Sequence, residues 1–144
     1  MCLDTITVIH RQPRPEVVTG FKVFRRHART VGARTEAVLT FEYHHHFRMG
    51  RQRLAFGSQG EIPINFPEVP YRRWLTAIQV RLFARERNYQ SGFHVFTNEK
   101  DAWQWCGNNH TAYAVVPVQC RNVTARGTLA LMGCFVAQQI RIPA

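Results

Sequence analysis

Gly92-Phe93-His94-Val95-Phe96-Thr97-Asn98-Glu99-Lys100-Asp101-Ala102-Trp103-Gln104-Trp105 reads as a strand, a cap and a helix in succession. Phe93, Val95 and Phe96 favour an extended backbone, and His94 projects opposite Phe93 and Val95 because side chains alternate across a strand. The Thr97 hydroxyl is the expected N-cap, accepting from a free amide of the first turn. Glu99 and Asp101 place negative charge at the positive end of the helix dipole. Ala102 and Trp105 share a face and are expected to close the helix onto a sheet, before Gly107 and Asn108 end it. His94, at the centre of this unit, is the candidate catalytic or ligand-binding side chain. The competing reading is a histidine hydrogen-bonded within a sheet, since buried polar groups usually find partners.

Strand patterns surround this unit. Thr5–Ile9 is a short apolar run, followed by the basic, extended connector His10-Arg11-Gln12-Pro13-Arg14-Pro15, whose prolines forbid a helix interior. Gly20–Phe24 reads as a strand, with Phe21 and Val23 on one face and Lys22 and Phe24 on the other. Ala37–Met49 alternates over its whole length and predicts one long strand, turned by Gly50 into a second arm at Arg51–Phe56. Residues 61–70 hold three prolines and read as an extended linker. From Tyr71 onward a helical stripe (Tyr71, Leu75, Ile78, Leu82) competes with alternation (Ile78, Val80, Leu82, Ala84). The stripe spans more turns and follows Pro70, so a helix is expected. Tyr113–Cys120, Val123–Ala125 and Cys134–Ile142 complete the strands, with turns expected at Arg121-Asn122 and Gly127, and Pro117 at an edge or bulge.

The chain has 144 residues, enough for one compact domain with a real core. These patterns predict an α+β fold, a mainly antiparallel twisted sheet with one or two helices packed on it. The charge is strongly positive: 19 Lys and Arg against 9 Asp and Glu, formally +10, with Lys22 and Lys100 the only lysines. Guanidinium groups bind phosphate and carboxylate in planar, bidentate fashion. A basic, arginine-rich domain suits nucleic acid or an acidic protein face. The candidate contacts are Arg25, Arg26, Arg29, Arg48, Arg51, Arg53, Arg72, Arg73 and Arg81, with Trp74, Tyr43 or Phe47 stacking on bases. No base code is visible, so sequence-tolerant binding of RNA or DNA backbone is the expectation, an acidic host protein the alternative partner.

Other chemistries find less support. His44 and His46 fall on one face of the predicted strand and are the metal candidates, but a third ligand, His94 or His110, would have to come from elsewhere. The four cysteines form no CxxC pair. With no signal peptide in view, an intracellular, reduced, cytoplasmic setting is expected, and no apolar run approaches a membrane span of about 20 residues. No nucleophile elbow, zincin helix or P-loop appears, and no cofactor is expected.

Two resemblances follow from particular residues. The Met-Cys-Leu start, the Gly20-Phe21-Lys22-Val23-Phe24 and Gly92-Phe93-His94-Val95-Phe96 strands, and the closing Val-Ala-Gln-Gln-Ile-Arg-Ile resemble small proteins of phages and bacteria, which implies a phage or mobile-element origin. Gly92–Phe96, the helix after it and Tyr113–Val118 are similar to a segment of ADP-ribosyltransferases. That likeness implies NAD as substrate and a cleft lined by His94. The His-Gly opening of that family is absent here; Gly20-Phe21-Lys22-Val23-Phe24 stands as the first clear strand.

Overall fold

The computed structural model describes residues 3–41, 47–49, 52–54, 68–77, 81–84, 87–90 and 92–143. In chain order the elements are β1 (Thr5–Arg14), β2 (Val18–Val31), β3 (Arg34–Phe41), β4 (Phe47–Met49), β5 (Gln52–Leu54), β6 (Leu75–Ala77), β7 (Arg81–Ala84), β8 (Arg87–Gln90), β9 (Phe93–Phe96), α1 (Glu99–Trp105), β10 (Tyr113–Leu129) and β11 (Met132–Arg141). The result is a sheet-dominated fold with one short helix among the described residues.

The main sheet runs β1-β10-β2-β9-β11-β6-β4-β5, with β3 added to β2 and β7–β8 forming a separate hairpin. β10 also pairs β11, so the path β10–β2–β9–β11 returns to its start and the sheet closes on itself. Closure is possible because β10 is 17 residues long. Tyr113–Cys120 takes β2 on one edge, Val123–Thr128 takes β1, and Gln119–Leu129 takes β11. The weakest seam lies between β2 and β9, joined by the single pair Phe21↔Phe96. There the buried Lys22 Nζ donates to the His94 carbonyl at 3.0 Å. Gly20 permits this approach: a Cβ there would meet Val95 Cγ1 at 2.4 Å and the Phe135 ring at 2.8 Å.

All four residues of β9 are buried. Phe93 and Val95 join a cluster with Phe24, Val118, Val123 and Ile140. Phe96 joins a second, with Val23, Ala125, Val136 and Ala102 of α1. Each such burial removes enough apolar surface from water to be worth about 2 kcal/mol. The opening stretch is thus central, with a correction at its cap. Asn98, not Thr97, is the N-cap: its Oδ1 accepts from the Asp101 amide at 2.8 Å, and an Asx side chain reaches that amide as readily as a threonine hydroxyl. Trp105 packs against Phe96 at 5.8 Å, as the shared face with Ala102 requires, and positive φ at Gly107 and Asn108 ends the helix.

Other expectations change. The helix from Tyr71 is replaced by β6 and β7. β11 and β4 offer β6 partners on both edges, and tertiary pairing overrides a marginal helical stripe; Ile78 and Val80 of the competing alternation lie outside the described residues. Of the strand expected at 37–49, residues 37–41 belong to β3, paired to β2, and Phe47–Met49 to β4, paired to β5 and β6; residues 42–46 lie outside the described residues. Gly50 lies between β4 and β5, where the hairpin was expected. No turn forms at Arg121-Asn122 or Gly127; β10 continues through both, with Asn122 absorbing a φ of 59°. Gly127 instead serves close approach, since a Cβ there would strike the Thr5 carbonyl. The linker ends on Val69, fully buried and donating to the Leu39 carbonyl at 2.9 Å.

Candidate functional site

At the corner where β10, β11 and β6 meet, burial alternates residue by residue. Cys120, Ile140 and Leu75 point into the core, while Gln119, Arg121, Gln139, Arg141 and Thr76 alternate with them and remain partly exposed. Trp74, just before β6, lies over this patch: the Arg121 guanidinium is 4.1 Å from its ring centroid and that of Arg141 4.5 Å. Both distances fall within cation–π range.

Glutamines hold the two arginines. Arg121 Nε donates to Gln139 Oε1 at 2.5 Å. Arg141 donates through Nε and Nη2 to Gln119 Oε1 at 2.9 and 2.6 Å. Gln139 Nε2 donates in turn to Thr76 Oγ1 at 2.8 Å. These acceptors are neutral, and among the described residues no carboxylate accepts from either guanidinium. Each cation is therefore oriented without being neutralised. Arg72 and Arg73, both exposed, directly precede Trp74 in the chain. Arg72 adopts a left-handed φ of 63°, a region that disfavours any residue with a Cβ, while its amide donates to the Ile142 carbonyl at 2.7 Å.

Of the expected arginines, Arg72 and Arg73 directly precede Trp74 in the chain, and the backbone register pairs Arg48 with Thr76 and Arg53 with Arg48. Arg25 and Arg26 lie elsewhere. Arg25 sits 5.8 Å from the Tyr113 ring and Arg26 Nε donates to the Tyr113 carbonyl at 3.0 Å. From Tyr113 to Arg121 along β10 is up to roughly 26 Å at strand rise. The cluster at Arg25–Arg29 is a strand paired to β3, and Arg81 belongs to β7. Arg51, Tyr43, His44 and His46 lie outside the described residues; no metal-ligating cluster occurs among those described. Arg121 and Arg141 were missed by sequence reasoning. The alternation of Arg121 with Val118 and Cys120, and of Arg141 with Ile140 and Ile142, was the available signal.

His94 has a different setting. It is 2% exposed, with Nε2 3.1 Å from the Tyr89 hydroxyl. That hydroxyl also accepts from the Leu3 amide at 2.8 Å. Nδ1 has no partner of good geometry, although the Gly92 carbonyl lies where it favours the protonated ring. Burial, with the nearby Lys22 charge, holds His94 down to about 3. Burial also lowers Lys22 to about 8 and raises the Cys120 and Cys134 thiols to about 12. This cluster is neutral at the histidine, inert at the thiols, and sealed.

A cleft of about 350 Å³ is lined by Tyr89, His10, Arg11, Gln90 and Thr124. It exists because β1 leaves register with β10 between Ile9 and Arg14. Burial and the charges of Arg14 and Arg126 lower the proton affinity of His10. His94 does not line this cleft.

No family model, curated protein or solved structure matches this chain.

Proposed function

We propose that this chain binds nucleic acid through the Trp74 corner, contacting the phosphate backbone with little sequence preference. One observation carries the reading: an aromatic ring with two guanidinium groups within 4.5 Å, both oriented by glutamine amides. Cations paired to carboxylates would have little left to offer a polyanion, whereas these keep their full charge for phosphate. Arg72 and Arg73, exposed and directly before Trp74 in the chain, add further cationic charge. A phage or mobile-element accessory protein acting inside an infected cell is the setting this reading suits. No observation favours the NAD-using alternative: His94 is buried and is not among the residues lining the neighbouring cleft. An acidic protein partner would meet the same patch and is an outcome of the test.

The test is a fluorescence anisotropy titration of labelled RNA and DNA oligonucleotides at 50 and 200 mM salt. Four phosphate contacts on a single strand predict an affinity loss of about 50-fold between the two. Absence of binding at 50 mM with either polymer sinks the proposal and leaves the acidic protein.

A further inference from the structure

Resting on that reading, we infer that the ligand is single-stranded, draped across the β10–β11–β6–β4–β5 strands rather than docked as a duplex. Three features point this way.

The first is the absence, among the described residues, of an element suited to a duplex groove. A helix that reads the major groove presents cations or amides from its first turns. α1 is only 7 residues long and carries Glu99 and Asp101 in its first turn, where a groove-reading helix presents cations or amides. The β10–β11 hairpin carries no exposed arginine at its tip. Its tip shows Leu131, 94% exposed, and Arg126, its nearest arginine, leans over the Phe135 ring at 5.2 Å.

The second is where charge and π-surface coincide. Trp74 keeps part of its surface exposed beside Arg121 and Arg141, and Tyr71, three residues earlier, is 47% exposed. Bases stacked inside a duplex cannot use such rings, whereas a single strand offers base faces and phosphates together.

The third is the register. Arg121↔Gln139, Gln139↔Thr76, Thr76↔Arg48 and Arg48↔Arg53 are successive cross-strand partners. They form one transverse row, about 19 Å long at the usual strand separation. That is the reach of a short single-stranded segment, at the low end of about 4 nucleotides for a sheet-borne site.

The experiment compares single-stranded RNA and DNA oligonucleotides with a hairpin duplex of equal length at 50 mM salt. Single strands of either sugar are expected to bind at least about tenfold more tightly than the hairpin. Trp74→Ala should weaken single-strand binding about tenfold, in the range of one lost base stack, and leave hairpin binding unchanged. Arg72→Gly should weaken both. Should Trp74→Ala fail to fold, Trp103→Phe/Trp105→Phe leaves Trp74 as the sole tryptophan, and its fluorescence should be quenched by the single strand alone. Equal affinity for hairpin and single strand, or unquenched Trp74 at saturation, overturns the inference while nucleic-acid binding stands. No binding of any oligonucleotide removes both.

Discussion

The Lys22–His94–Tyr89 cluster and the Trp74–Arg121–Arg141 corner are both polar groups held by uncharged partners, yet their energetics are opposite. In the first, the charge is the problem. Lys22 and His94 are each 2% exposed, burial penalises their ionised forms, and the Lys22 bond to the His94 carbonyl crosses the β2–β9 seam. In the second, the charge is retained. Arg121 and Arg141 remain partly in water, so the desolvation penalty is small and the glutamines only set direction. A buried polar group must spend its hydrogen bonds on the fold; a rim cation can keep its charge for a ligand.

The contrast can be broken most severely at Tyr89. Tyr89→Phe strands both the Leu3 amide and His94 Nε2, at a cost of about 2–4 kcal/mol. Thermal unfolding should show a melting temperature lower by about 10 °C. An unchanged melting temperature would mean that the Tyr89 hydroxyl contributes nothing to stability.

Acid is the next lever. His94 holds near 3 in the fold against about 6.5 unfolded, so between these values the unfolded chain binds the extra proton. Stability is fully present above about pH 6.5 and is lost as pH falls, by about 2 kcal/mol at pH 5. Denaturant titrations at pH 7 and 5 measure this, and His94→Gln should flatten the difference. Lys22, near 8 in the fold, works in the other window: stability should rise as pH climbs from about 8 to about 10.4.

The rim should respond little in stability. Arg121→Gln is expected to shift unfolding by under about 0.5 kcal/mol and to reduce the log–log salt slope of binding by about 0.7. Smallest of all, Arg72→Gly should leave stability unchanged or raise it by up to about 1 kcal/mol, because glycine accepts the left-handed backbone. A large destabilisation there would mean that Arg72 serves the fold rather than a ligand.

Much of the framework was legible locally. The β9–α1 unit, the strand at Gly20–Phe24, the β4–β5 hairpin and the final strand follow from alternation and turn chemistry. The misread elements were those with two consistent local readings. Tyr71–Ala84 fits a helix or strands, and only the edges of β11 and β4 decide between them. Asn122 and Gly127 look like turns, but β10 uses the first to twist and the second to let β1 approach. The site followed the same division. Arg72, Arg73 and Trp74 are contiguous and were visible as a cluster; Arg121 and Arg141 reach Trp74 only through pairing across three strands.

The sequence by itself determined that this is a basic, arginine-rich, sheet-forming chain with a strand–helix unit at its centre, because periodicity and charge are local properties. Tertiary structure alone decided that His94 is buried, that Lys22 bonds across a seam, and which arginines share a ring. Those outcomes depend on strand register, and register joins residues that lie tens of positions apart in the chain.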